Sequence, residues 1–351
     1  MKYLYKRPKA ITMWDFSWLE RRWPGAGYED WDYAVSELVK RGYDAVRIDA
    51  YPHLFIKDPE GEWTLKPEWN QQDWGAPALT KVSEIRKNLI EFMRVCKKHD
   101  VAVGLSAWFR EDINNVRMEI KTPQDLANAW ISVLDAVRDA GLEDAVLYVD
   151  AANEYPAWCP FIYNDAEYRA AHKDGNNDEW IIRTDSISKR WAKETLDILR
   201  STYPQYDYTF SQADYYDNLD KLDNSPFDFI EAHLWMTSYT DFYKKIDYNF
   251  ERFSSKGYGN VVKYAEDLYK SDADGWDSKL IEGVKMLADW SKRENKPLIT
   301  TECWGIVDYK DWPLLNWDWV KHLCEIAVKQ AASEGRWLAI ATSNFCGPQF
   351  N

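Results

Sequence analysis

The chain is poor in cysteine, histidine and net positive charge, and each shortage removes a class of protein. It has five cysteines, Cys96, Cys159, Cys303, Cys324 and Cys346, with no C-x-x-C among them. An odd number at that spacing predicts neither a disulfide framework nor a structural zinc site. The five histidines are scattered without metal-ligand spacing, so no metal and no other cofactor is expected. Lys and Arg total 44 against 58 Asp and Glu, a formal net charge of −14. That balance argues against nucleic acid or an anionic membrane as a partner. No apolar run is long enough to span a bilayer, and the start, MKYLYKRPKAITMW, has no apolar h-region. As given, the chain reads as cytoplasmic, and a secreted mature form stays open. Also missing are a Gly-rich fingerprint after the first strand, a phosphate loop and a Ser nucleophile elbow.

What the chain has in plenty is aromatic surface. Aromatics are 16% of the residues, with 20 Trp and 22 Tyr, within a hydrophobic share of 46% that is ample for a core. Indoles carry an apolar face and a polar N–H edge, which suits half-buried surfaces. A sugar ring can stack its C–H face on such a surface. Filling the interfaces between helices and a barrel is the other use, and the Trp residues divide between the two.

The periodicity predicts eight strands, mostly separated by helices. The strands fall at 9–15, 43–50, 101–108, 145–154, 208–213, 227–235, 297–304 and 336–345, and helices at 28–40, 80–99, 122–140, 184–201, 277–294 and 317–334. Thr122, with Pro123 after it and Asp125 three residues on, forms a near capping box. Strands alternating with helices imply a parallel sheet, and 351 residues fit a (β/α)8 TIM barrel, which runs from roughly 250 to over 400. The expected fold is therefore α/β, one catalytic (β/α)8 barrel over residues 1–351. Loop insertions are expected at about 51–78, 155–180 and 237–273. The sequence stops six residues after Phe345, so the eighth helix is expected to be missing. A doubly wound open sheet is the alternative.

Barrel active sites lie at the C-terminal strand ends. Those ends carry Trp14 and Asp15, Arg47 and Asp49, Ser106 and Trp108, Asn153 and Glu154, Gln212 and Asp214, His233 and Trp235, Glu302 and Trp304, and Ser343 and Asn344. Glu154 ends the fourth strand and Glu302 the seventh. Strand alternation puts Asp150 and Ala152 in phase with Glu154, and Leu298 and Thr300 in phase with Glu302. Two carboxylates at these ends could face each other across a barrel mouth, which is the requirement of glycoside hydrolysis. Cys303 alternates away from Glu302 and reads as a buried thiol. Asp272-Ala273-Asp274-Gly275 and the 174–179 segment read as solvated turns, since neither keeps a calcium-loop spacing.

Asn153-Glu154 on the fourth strand and Glu302 on the seventh resemble the clan A glycoside hydrolases, the group that includes cellulase family 5. Most closely, the chain resembles the cellulase-like, or sugar-binding cellulase-like, proteins. The likeness runs from Thr12-Met13-Trp14-Asp15 through Val46-Arg47-Ile48-Asp49 to Ser343-Asn344-Phe345. It implies that Glu154 is the general acid/base and Glu302 the nucleophile. It implies that Asn153 binds the sugar 2-hydroxyl and that Arg47 holds Glu302 ionised, although an ion pair of Arg47 with Asp49 or Asp15 fits the sequence as well. Many clan members place a Tyr at the end of the sixth strand, where this chain has His233 and Trp235. Asp49, His233, Trp14, Trp108, Trp235, Trp304 and Asn344 complete the candidate substrate contacts. His233 could equally bond a neighbouring carboxylate, and each Trp could equally be rim packing. The function implied is a retaining hydrolase of a β-linked glycoside, with carbohydrate as partner. The alternatives are a carbohydrate-binding barrel of little or no activity and, more remotely, a barrel lyase or isomerase.

Overall fold

The computed structural model describes residues 7–67, 79–171, 181–213, 216–248, 255–306 and 315–342. The strands are β1 (Lys9–Asp15), β2 (Ala45–Asp49), β3 (Glu62–Leu65), β4 (Thr80–Ser83), β5 (Ala102–Ser106), β6 (Val146–Asp150), β7 (Tyr208–Thr209), β8 (Ile230–Glu231), β9 (Leu234–Trp235), β10 (Leu298–Thr300), β11 (Cys303–Trp304) and β12 (Trp337–Ala341). One sheet has eight strands in the order β7-β6-β5-β2-β1-β12-β10-β8. Six of the seven steps join strands consecutive along the chain among these eight, and the seventh sets β1, the first, beside β12, the last. That order, with helices between the strands, is that of the expected (β/α)8 TIM barrel.

The chain divides into two compact units. One comprises Tyr3–Arg47, Pro67–Ala78 and Glu231–Asn351. Within it β1 and β10 each pair in parallel with β12, and β9 pairs in parallel with β11. The helix Ala273–Glu294 turns Trp276, Leu280, Val284, Leu287 and Trp290 inward at helical spacing, against β10 and the helix Asp318–Glu334. Burying side chains of this size stabilises by about 1.5–3 kcal/mol each. Asp30 caps the helix Trp31–Lys40 by accepting from the Tyr33 N–H at 3.0 Å.

The other unit comprises Met1–Lys2, Ile48–Lys66 and Leu79–Ile230. Here β6 pairs in parallel with both β5 and β7. Gly104 of β5 lies opposite Tyr148 of β6, and a Cβ on Gly104 would stand 2.6 Å from the Tyr148 ring. Only glycine fits there. The Thr122 hydroxyl accepts from the Asp125 N–H at 3.1 Å, so the predicted cap forms on the helix Pro123–Asp139.

Some boundaries differ from expectation. Residues 80–83 form a strand paired with β3, and the helix begins only at Ile85. Thr80, Lys81, Val82 and Ser83 alternate in exposure, and Glu84 breaks the run with a φ of +49°. The expected loop at 51–78 holds the helix Pro52–Lys57 and β3, and residues 68–78 lie outside the described residues. The helix Ala166–Ala171 lies within 155–180, and the helices Phe242–Lys245 and Ser255–Ser271 within 237–273. Asp272 opens the helix Ala273–Glu294, so that acidic segment is a helix start and not a solvated turn. The 174–179 segment, Asn344 and the region of the eighth helix lie outside the described residues.

Candidate active site

In the first unit the chemistry gathers around one guanidinium. Arg47 lies in β2 with its side chain fully buried. A cation taken out of water needs acceptors on every side. Arg47 Nη1 forms an ion pair with Glu302 Oε1 at 3.0 Å, and Nε forms one with Asp15 Oδ1 at 3.4 Å. Nη1 also donates to Thr301 Oγ1 at 2.6 Å and lies 3.5 Å from Glu231 Oε1. Thr301 Oγ1 in turn donates to Glu231 Oε1. Three buried carboxylates thus share one cation. Arg47 pairs with Asp15 as well as with Glu302.

His233 completes the cluster. Its Nε2 lies 3.1 Å from Arg47 Nη1. It also lies 3.7 Å from Glu231 Oε1, and the other ring nitrogen, Nδ1, faces Glu302. That atom lies 3.6 Å from Glu302 Oε2. Burial pushes the Glu231 carboxyl up, but Arg47, His233 and Thr301 beside it outweigh burial and hold it below its ordinary 4.5.

Strand alternation does not govern this region. β10 ends at Thr300, whose hydroxyl accepts from the Trp337 indole N–H at 2.9 Å. The next two residues, Thr301 and Glu302, both turn to Arg47. Two consecutive side chains reach one group because the backbone leaves the pleat before β11. The Cys303–Trp304 peptide is cis. Trp304 is fully buried, and its indole donates to Ala341 O at 2.8 Å. Cys303 is a buried free thiol raised well above its usual range by burial, in keeping with its reading as a buried thiol. Trp14 is buried edge-on against Tyr28, and Trp235 is buried in β9 opposite Trp304 of β11.

In the second unit Glu154 has a serine hydroxyl and an indole N–H among its partners. β6 ends at Asp150, four residues before Glu154, so the expected in-strand phase of Asp150, Ala152 and Glu154 does not apply. Asp150 is structural: Oδ1 accepts from the Ser211 N–H and Oδ2 from the Ser106 hydroxyl, both at 2.8 Å. Residues 151–158 form turns, tied down by the Trp130 indole, which donates to Ala151 O at 2.9 Å. Glu154 itself has a φ of +44°, uncommon for a residue with a side chain and held here by its surroundings. Its N–H donates to Ser211 Oγ at 2.9 Å, and Ser211 Oγ lies 3.5 Å from Asn153 Oδ1 as donor. Its carboxylate Oε2 accepts from the Trp158 indole N–H at 2.9 Å. Trp158 packs on Trp108 with ring centroids 5.1 Å apart.

Asp49 accepts from the Tyr51 N–H at 2.7 Å with one oxygen and from the Trp108 N–H at 2.8 Å with the other. It fixes the backbone beneath Trp108. Sequence reasoning missed Glu231, Thr301, Ser211 and Trp158. Glu231 was within reach of it, since it precedes His233 by two in the strand expected at 227–235 and so falls in phase with it. Trp158 follows Glu154 in a segment with no period, so nothing in the pattern marks it.

The family described as sugar-binding cellulase-like matches residues 11–351. Among solved structures, a presumed glycoside hydrolase from Parabacteroides distasonis is 45% identical, with a TM-score of 0.90 over 98% of this chain and 89% of that one. A glycoside hydrolase family 5 mannosidase from Rhizomucor miehei is 10% identical, with a TM-score of 0.53 over 97% and 82%. An endo-1,4-β-D-mannanase from Thermotoga petrophila is 11% identical, with a TM-score of 0.52 over 96% and 87%. The last two likenesses show a shared fold. No curated protein matches the chain. A family match over nearly the whole length, on a barrel shared with family 5 glycoside hydrolases, makes this chain a member of the cellulase-like family.

Proposed function

We propose that the chain is a retaining glycoside hydrolase that cleaves a β-linked carbohydrate by double displacement. Glu302 is the nucleophile and Glu154 the general acid/base. The observation that carries the reading is Glu302 itself, a buried carboxylate between β10 and β11 paired at 3.0 Å with a fully buried arginine. A carboxylate kept charged in a dry site by a fixed cation is poised to attack an anomeric carbon. Family membership and the 45% identical presumed glycoside hydrolase support it.

In the first step Glu154 gives its proton to the leaving oxygen while Glu302 bonds the anomeric carbon. In the second, Glu154 takes a proton from water, which releases the sugar with its original configuration. Retention requires the two carboxyls to stand about 5–5.5 Å apart. Asn153 binds the sugar 2-hydroxyl. Asp49, His233, Asn344 and the indoles of Trp14, Trp108, Trp235 and Trp304 shape the substrate site. The whole chain serves as one catalytic barrel.

The test is turnover of a panel of aryl β-glycosides, with the anomer of the first product followed by NMR. The expected result is retention by the wild type, with loss of turnover but not of sugar binding in Glu302→Gln. Inversion would remove the double displacement. A wild type that binds oligosaccharides and turns over none would favour a carbohydrate-binding barrel, in line with the family's sugar-binding description.

A further inference from the structure

Glu231 is a fully buried acid that the double displacement does not use. It nonetheless stands in the Arg47 cluster, bonded through Thr301 and 3.5 Å from the same Nη1 that pairs with Glu302. When Glu302 attacks, its carboxylate becomes a neutral ester. Arg47 stays charged, and a buried cation stripped of its counter-ion is strongly destabilised. Asp15 reaches Arg47 through Nε, on the other side of the guanidinium from the shared Nη1. On the Nη1 side the remaining carboxylate is Glu231.

We propose that Glu231 is a positioning residue for Glu302: a second, permanent counter-ion that holds Arg47 Nη1 in place while the charge of Glu302 is consumed and regenerated. The proposal rests on the hydrolase reading above. It has an electrostatic consequence. The charge of Glu231 opposes ionisation of Glu302, so Arg47 is divided between two acids and the nucleophile stays basic enough to attack. Among the described residues, the charged and titratable groups around Glu231 are Arg47, His233 and Glu302, with Asp15 sharing Arg47. The acid's own depressed titration, set by Arg47 against burial, agrees with a carboxylate that stays ionised.

The test removes the charge and keeps the length, with Glu231→Gln and Glu231→Met; either variant that folds is decisive. The first readout is the acid limb of the kcat/KM profile on the aryl β-glycoside panel. The second needs no turnover: the carboxyl titration of Glu302 by ¹³C NMR, assigned with Glu302→Gln. Both are expected to move to lower pH, by at least about tenfold in proton affinity, because a neighbouring negative charge is lost. A residue that merely filled space would lower the rate without moving either titration. Turnover with an unmoved Glu302 titration overturns the role of Glu231 and leaves the hydrolase reading standing. A moved titration in a protein whose wild type turns over no glycoside overturns that reading, and the catalytic role of Glu231 with it.

Discussion

The two candidate catalytic glutamates differ in burial and in backbone. Glu302 sits in a fully buried cluster in which Arg47 binds it together with Asp15 and Glu231. Glu154 is only partly buried, on a turn in left-handed backbone, with a serine hydroxyl at its N–H and an indole N–H at its carboxylate. The difference suits two roles. A nucleophile must stay ionised, which a fixed cation in a dry site secures. An acid/base must gain and lose a proton, which some access to water permits.

The sharpest break in this comparison is Glu302→Gln. Removal of a covalent nucleophile is expected to cost on the order of 10⁶-fold in kcat, read on the aryl glycoside panel. Glu154→Gln should cost less, about 10²–10⁴-fold on poor leaving groups. It should cost little on a dinitrophenyl glycoside, whose leaving group needs no proton, and equal losses on both would deny Glu154 the acid's role. Arg47→Met leaves buried carboxylates without their cation and should destabilise folding by about 3–5 kcal/mol, read by urea denaturation. Unchanged stability would mean that the cluster is not held by charge. Trp158→Phe keeps the packing on Trp108 and deletes the hydrogen bond to Glu154, a net loss of ~1 kcal/mol. About a fivefold fall in turnover of unactivated glycosides is expected, with none for the dinitrophenyl substrate.

The smallest effect is a dependence on pH. The folded-state titration of Glu231 lies below its ordinary 4.5, so the folded state favours the charged form. Its contribution to stability is complete above that ordinary value and is lost as pH falls through the folded value. Urea midpoints measured down the acid range should therefore fall less steeply in Glu231→Gln than in the wild type.

Much of the fold was legible because its signals are local. β1 was expected at residues 9–15 and spans Lys9–Asp15, and Thr122 caps its helix as its spacing foretold. The failures cluster at the strand ends. The fifth strand shrinks to Tyr208–Thr209, and the sixth and seventh each split in two. A run such as FDFIEAHLW or PLITTECW reads as one strand because its residues favour the pleat. In the folded chain Thr301 and Glu302 turn together toward a charge that local propensity does not register.

The sequence by itself determined the alternation of strands and helices, the polar strand ends and the family pattern of Asn153-Glu154 with Glu302. These depend on hydrophobic period and residue type, which each segment carries alone. Only the tertiary structure decided which acids share Arg47, that His233 lies beside that guanidinium, and that Trp158 bonds the Glu154 carboxylate. Those partners come from segments tens to hundreds of residues apart, or from turns without period. Burial then decides their weight, because a charge taken out of water is held only by the groups that folding brings beside it.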